Sequence, residues 1–224
     1  MNGMDTALGE TDAALGRPHC IIVAGPNGSG KTTTALGLAS EWHNVPRIVN
    51  PDEIAGGLSG APELGAVEAG KLALRAQERY IVQRHDFAME TTLSGRRWPK
   101  FLAALEAADY QVTMYYLWVA DPAVCIARVR TRVMKGGHGV SEGDIRRRYD
   151  SGLLNFQQVV GPRVDAWHVA DANAPPGADL RYVAHGGRGL PLAVTDPASW
   201  GDLQRATQAS LTRASTHSSR NRTP

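Results

Sequence analysis

Residues 20–33, CIIVAGPNGSGKTT, constrain this chain more than any other stretch. Cys20 to Ala24 form a short β-branched run, and Gly25-Pro26-Asn27-Gly28-Ser29-Gly30-Lys31-Thr32 then fits G-x-x-x-x-G-K-[ST]. The pattern works only as strand, tight turn and helix. The glycines let the backbone wrap so that successive N–H groups face phosphate oxygens, and the helix N-terminus adds partial positive charge there. Lys31 then reaches the β- and γ-phosphates, and the Thr32 hydroxyl can hold Mg²⁺. Gly25 through Thr33 are the candidate nucleoside triphosphate site, and the bland alternative, a glycine-rich turn with a chance lysine, fits this context poorly.

A strand that opens into a helix sets the pattern for the rest. RIVN (47–50), FAMET (87–91), YQVTMYYLWV (110–119) and AWHVAD (166–171) read as further strands. Between them lie a helix from Lys31 to Trp42, an amphipathic helix over 65–84 with Ala69, Leu72, Ala73, Ala76 and Tyr80, and a helix over 95–109. Asp121-Pro122 starts a fourth helix, which stops at Gly136-Gly137. Ser141 caps a fifth, with Asp144 as its capping partner and Ile145, Tyr149, Leu153, Phe156 and Val160 along one side. LRYVAHGGRGLPLAV (180–194) reads as a terminal hairpin. Alternating strands and helices predict an α/β domain on a mostly parallel sheet.

We expect a flexible leader over 1–17, a domain over 18–200 and a disordered basic tail over 201–224, because the last segment is rich in Ser, Thr and Arg and shows no apolar period. Net charge is only +2, with 42% hydrophobic and 21% charged residues. That charge is too small to argue for nucleic-acid binding by itself. Cys20 and Cys125 stand in no C-x-x-C arrangement, which excludes a disulfide framework and a cysteine metal site; we expect buried, inert thiols. There is no apolar run of membrane-spanning length and no signal-peptide pattern, so a cytoplasmic location without membrane attachment is expected.

The loop does not say what the triphosphate is for. A transporter-type ATPase needs an LSGGQ signature, and GLSGAPE (57–63) lacks it; a guanine switch needs N-K-x-D, which is absent. Asp52 follows the second strand, at the end of the sheet where ligands bind. It reads equally as a base for an acceptor hydroxyl or as a cap on the next helix. Glu90 ends an apolar strand, where a carboxylate needs Mg²⁺ and its water, a sugar hydroxyl or a buried arginine; Thr91 and Thr92 add hydroxyls beside it. RVRTRVMKGGHGVSEGDIRRRY (128–149) flanks a glycine hinge with arginines and reads as a lid over a small charged ligand. Arg128 and Arg132 share a helical face and Arg148 lies beside Tyr149, whereas Arg130, Arg146 and Arg147 read as solvent-facing. His138 reads as a hinge residue or a phosphate contact.

In series, AGPNGSGKTT, VNPDEIA, METTLSG and RVMKGGHGVSEGDIRRRY resemble the zeta toxin family of P-loop kinases, from about residue 20 to 156. The resemblance implies transfer of phosphate from ATP with Mg²⁺ to a nucleotide-activated amino sugar, UDP-N-acetylglucosamine. It makes Asp52 the general base, gives Glu90, Thr91 and Thr92 to the acceptor, and gives the phosphate clamp to Arg132 and Arg148 with Arg128 in reserve. It also admits an antitoxin protein as partner. The chain departs from the toxin pattern in reading Gly-Pro-Asn-Gly in its loop and Thr-Thr after Glu90, and is nearer a zeta-like branch with a Gly-Gly-His lid.

The expectation is therefore a P-loop NTPase fold, a three-layer α/β sandwich with strand order 2-3-1-4-5, acting as an ATP-dependent kinase on a small acceptor. Two other readings are another small-metabolite kinase, and a regulatory ATP-binding protein that tethers nucleic acid through its basic tail.

Overall fold

A computed structural model describes residues 16–35, 48–50, 62–137, 139–173 and 180–220. Asp52 and His138 lie outside the described residues. Strands β1 (His19–Ala24), β2 (Ile48–Val49), β3 (Phe87–Thr91), β4 (Gln111–Trp118), β5 (Ala166–Asp171), β6 (Arg181–Gly187) and β7 (Leu190–Val194) form one sheet in the order β2-β3-β1-β4-β5-β6-β7. The first five strands are parallel and follow the expected order 2-3-1-4-5. β6 and β7 add the expected hairpin in antiparallel sense. β1 is central: Ile22 sits beside Met89 on one side and Met114 on the other. Its burial on both faces explains why its sequence is a continuous apolar run rather than an alternating one.

Residues 31–35 open helix α1, and α2 (Pro62–Gln83), α3 (Trp98–Ala107), α4 (Pro122–Met134), α5 (Glu142–Asn155) and α6 (Pro197–Arg220) follow. Each face of the sheet buries its own cluster, giving three layers. One cluster joins Ile22, Met89, Met114 and Val169 to Phe101, Leu105, Leu153 and Leu203 from the helices. The other joins Val23, Leu117 and Ala170 to Ala35, Cys125, Ile126 and Val129. Both cysteines are fully buried. No helix among the described residues is long and apolar enough to cross a membrane.

The helix ends follow the chemistry of their caps. Asp121 accepts from the Ala123 N–H at 2.7 Å and Pro122 takes the first helical position, where its missing N–H costs nothing. At the far end of α4, Gly137 N–H donates to Arg132 O at 3.0 Å and Gly136 N–H to Val133 O at 2.9 Å, with Gly136 at φ 85°. This paired closure requires a left-handed residue, which glycine supplies. Ser141 then caps α5, accepting from Asp144 N–H at 3.1 Å. α5 runs into a π-helical turn, Phe156–Val160, closed by Gly161 N–H on Phe156 O at 2.9 Å. All five apolar positions expected along this helix are buried.

Residues 201–220, expected to be disordered, instead continue α6, so the folded unit runs past residue 200. The helix starts as α4 does, with an Asp-Pro-Ala sequence: Asp196 accepts from Ser199 N–H at 3.1 Å. Its buried side is Leu203, Thr207 and Ser210. Thr207 donates to Leu203 O at 2.9 Å and Ser210 to Ala206 O at 3.0 Å, so hydroxyls that appear solvating in the sequence are satisfied by their own helix and can be buried.

Candidate active site

The phosphate loop leaves the C-terminal end of β1, held by Gly25 N–H on Thr91 O at 3.2 Å. Gly25, Gly28 and Gly30 all have positive φ. At Gly28 (φ 82°) a Cβ would lie 2.8 Å from the Cys125 carbonyl oxygen, so only glycine fits the turn against α4. Lys31 Nζ donates to Pro26 O at 2.9 Å, bringing its ammonium back over the loop. Ser29 Oγ is buried without a hydrogen-bond partner among the described residues, a donor turned into the loop interior. Pro26 and Asn27 are buried and Thr33 is exposed. A wrapped loop, a lysine, an unsatisfied hydroxyl and a helix N-terminus fit a polyphosphate.

Glu90 is only 7% exposed and bridges two elements. Its Oε2 accepts from Thr32 Oγ1 at 3.0 Å and its Oε1 from Asn50 Nδ2 at 3.1 Å. The glutamate at the end of β3 is thus brought to the hydroxyl that the loop motif reserves for a divalent cation. A carboxylate and a hydroxyl are the hard oxygen donors that suit Mg²⁺. After Glu90 the chain turns sharply: Thr91 Oγ1 accepts from Leu93 N–H at 3.0 Å, and Thr92 Oγ1 and Ser94 Oγ lie 2.9 Å apart. Leu93 itself is fully buried at φ 59°. Asn155 Nδ2 on α5 donates to Leu93 O at 2.6 Å and Gly95 O at 3.0 Å, holding this strained turn. Gly152 completes the contact, since a Cβ there would meet Thr92 O at 2.5 Å.

The six arginines divide by exposure. Arg130, Arg146 and Arg147 are exposed; Arg130 pairs with Glu142 and Arg147 with Asp144 at 2.7 Å. Arg128, Arg132 and Arg148 are half-buried. Arg148 Nη1 donates to Asn27 Oδ1 at 3.3 Å, reaching the middle of the phosphate loop. Arg128 binds backbone carbonyls: Ala172 O at 2.7 Å, Asn173 O at 2.6 Å and, more weakly, Gly28 O at 3.4 Å. It ties α4 to the end of β5 beneath the loop. The Arg132 stem packs on Gly137, where a Cβ would meet its Cγ at 2.6 Å. Tyr149, next to Arg148, donates its hydroxyl to Val119 O at 2.8 Å, and burial pushes its pKa up to about 12, so it stays a donor at neutral pH. Burial likewise pushes the Cys125 thiol up to about 11, although Lys31 and Arg128 pull the other way. It is no nucleophile at neutral pH.

The geometry joins Lys31, Thr32, Glu90 and Arg148 around one loop, and Arg128 braces that loop from Gly28 O to the carbonyls after β5. Asn27, Asn50 and Asn155 carry parts the sequence reading did not give them individually. Asn50, directly after β2, was detectable from the rule that ligands gather at strand C-terminal ends.

The fold has known counterparts. An uncharacterised protein of Haemophilus influenzae is 29% identical over 135 residues, 58% of this chain and 91% of that protein. Among solved structures, the AvrRxo1-ORF1:-ORF2 complex with ATP superposes with a TM-score of 0.66 at 15% identity, covering 85% of this chain. The chain spans 64% of the length of that protein. The PezAT chromosomal toxin–antitoxin system of Streptococcus pneumoniae gives a TM-score of 0.57 at 14% identity, over 88% of this chain and 87% of that one. At such identities the likeness is one of fold. The model of the family described as zeta toxin matches residues 5–160, and the chain belongs to that family.

Proposed function

We propose that the protein transfers the γ-phosphoryl group of ATP to a hydroxyl of a small acceptor, a nucleotide sugar such as UDP-N-acetylglucosamine. The observation that carries the reading is the bridge from Thr32 to Glu90, which sets a buried carboxylate beside a phosphate loop. It supports a Mg·ATP site, and membership of the zeta toxin family supports a kinase there. ATP lies along Gly25–Thr33 with Lys31 on its terminal phosphates. Thr32 and the Glu90 carboxylate would hold Mg²⁺, which when bound would supply positive charge against the phosphates.

In the transfer, the acceptor oxygen forms a bond to the γ-phosphorus as the bond from phosphorus to the β–γ bridging oxygen breaks. ADP leaves, and the hydroxyl proton passes to the Asp52 carboxylate. Catalysis of this kind is mostly positioning and charge stabilisation. Arg148, at the loop, and Arg132 neutralise the equatorial oxygens; Thr91 and Thr92 orient the acceptor. By analogy with the PezAT toxin–antitoxin system, an antitoxin-like protein would be the macromolecular partner. The tethering alternative calls for a free tail, whereas residues 197–220 are helical with Leu203, Thr207 and Ser210 buried, which favours the kinase reading over it.

The test is phosphoryl transfer from ATP with Mg²⁺ to a panel of sugars, nucleotide sugars and nucleosides, read as a gain of one phosphate by mass spectrometry. UDP-N-acetylglucosamine should gain it, and Lys31→Ala and Asp52→Asn should abolish the gain. Transfer to a different acceptor would retire the sugar. ATP bound with no transfer to anything would retire the kinase.

A further inference from the structure

Three consecutive residues of α5 are fixed to three different parts of the molecule. Arg148 reaches Asn27 in the phosphate loop at 3.3 Å. Tyr149 binds Val119 O at 2.8 Å and Ala120 O at 3.3 Å, just past β4. Asp150 is held by α6: Ser210 Oγ donates to Oδ1 at 2.8 Å, Arg213 Nη2 to Oδ1 at 2.6 Å and Arg213 Nε to Oδ2 at 2.9 Å. Successive helical residues point about 100° apart, so these ties grip the helix from three directions and oppose its rolling.

α6 lies beyond residue 160, where the family match ends. Its Leu203 is fully buried, and Ser210 is both buried and bonded to its own helix, so α6 is a docked element. The Arg213–Asp150 pair is bidentate, the geometry that fixes direction as well as distance. Arg213 is half exposed and Asp150 is exposed to 26%, so solvent screens the pair and its contribution to stability is modest. Its placement opposite Arg148 explains it better than its energy does.

We propose that Arg213 and Ser210 are positioning residues which, by holding Asp150, fix the aim of Arg148 at the phosphate loop. The C-terminal helix is then part of the catalytic apparatus without touching substrate. This rests on the phosphotransferase reading, in which Arg148 meets the transferring group.

The full chain, Arg213→Ala, Arg213→Lys, Arg148→Ala and the Arg148→Ala/Arg213→Ala pair test it. Arg213→Ala should lower kcat about tenfold with KM for ATP little changed, since a displaced group loses rate in this way. Arg213→Lys should recover part of the loss. In the Arg148→Ala background the same Arg213→Ala change should cost less than about twofold, because the two residues act as one unit. An unchanged kcat, or an equal loss in both backgrounds, overturns the proposal. Amide hydrogen exchange of the unliganded full chain needs no activity. Arg213→Ala should speed exchange in residues 25–32 as well as in α5, and faster exchange confined to residues 197–220 would overturn the idea. If the wild-type protein phosphorylates no acceptor, the kinase reading fails while the exchange experiment still decides this one.

Discussion

The Arg148 guanidinium donates to the Asn27 side-chain oxygen at 3.3 Å, joining α5 to the middle of the phosphate loop across most of the domain's sequence. Asn27 is only 7% exposed, so the contact is made where water is largely excluded. Arg148→Ala should lower phosphoryl transfer by about 10²–10³-fold, the usual cost of removing a preorganised charge stabiliser. Its melting temperature should hardly move. Arg148→Lys should recover little, because an ammonium cannot reproduce the planar fork. Steady-state kinetics with saturating acceptor reads both.

Glu90 receives the Thr32 hydroxyl and the Asn50 amide on separate oxygens. Glu90→Gln keeps the size but puts an amide donor opposite Asn50 and removes the charge. ATP affinity without Mg²⁺ should be unchanged, whereas affinity with Mg²⁺ should fall about 10- to 100-fold, as when a partner in a metal's surroundings is lost. Calorimetric titration with and without the cation separates the two; equal affinities in both conditions would contradict the assignment of Glu90.

Gly28 and Gly189 offer a matched comparison, since both have φ near 80°. A Cβ at Gly189 meets nothing within 4 Å, but one at Gly28 lies 2.8 Å from Cys125 O. Gly189→Ala should therefore cost about 1 kcal/mol of backbone strain, and Gly28→Ala up to about 3 kcal/mol together with loss of ATP binding. Urea denaturation midpoints of the two variants check the difference.

His168 stacks on Tyr115 at 5.0 Å, meets Tyr182 edge-on and lies opposite His185 with ring centres 5.9 Å apart. Burial, and then His185, hold its pKa below the usual 6.5. The folded state thus resists a proton that the unfolded chain accepts. Stability should be flat above pH 6.5 and fall as pH drops from there through the lower folded pKa. His168→Phe keeps the stack and should flatten that slope, measured by urea unfolding between about pH 8 and about pH 5.

Burial raises the pKa of both thiols, and both are fully buried. Neither should react with a thiol reagent until the chain unfolds. Labelling rates should track the denaturant dependence of global opening, and fast labelling of Cys125 in the native protein would contradict its packing under the phosphate loop.

The sequence made legible whatever is written locally. The apolar run before the loop, Asp121-Pro122, Gly136-Gly137 and Ser141 with Asp144 each fix a boundary by their own backbone chemistry, and the structure places each boundary there. Less legible was α6, whose buried side is built from Leu203, Thr207 and Ser210. Two of these three are hydroxyl residues, made fit to bury by the carbonyls four residues back and, for Ser210, by Asp150 as well. The arginines were half legible. Helical spacing put Arg128 and Arg132 on one face, but spacing cannot reveal that Arg128 meets carbonyls at the end of β5. The reach of Glu90 to Thr32 depends on β1 and β3 lying side by side, with Val23 opposite Glu90, a register no local signal encodes.

The place of β1 in the sheet bears on how the protein is made. It is the earliest of the seven strands to emerge during synthesis, yet both its neighbours come much later: Cys20 pairs with Phe87 on one side and Val112 on the other. Such distant pairing is slow, because the loop entropy must be overcome before the contacts form. The apolar run Cys20–Ala24 therefore stays incompletely paired until β4 has been translated, and in that interval its apolar surface is open to misassociation.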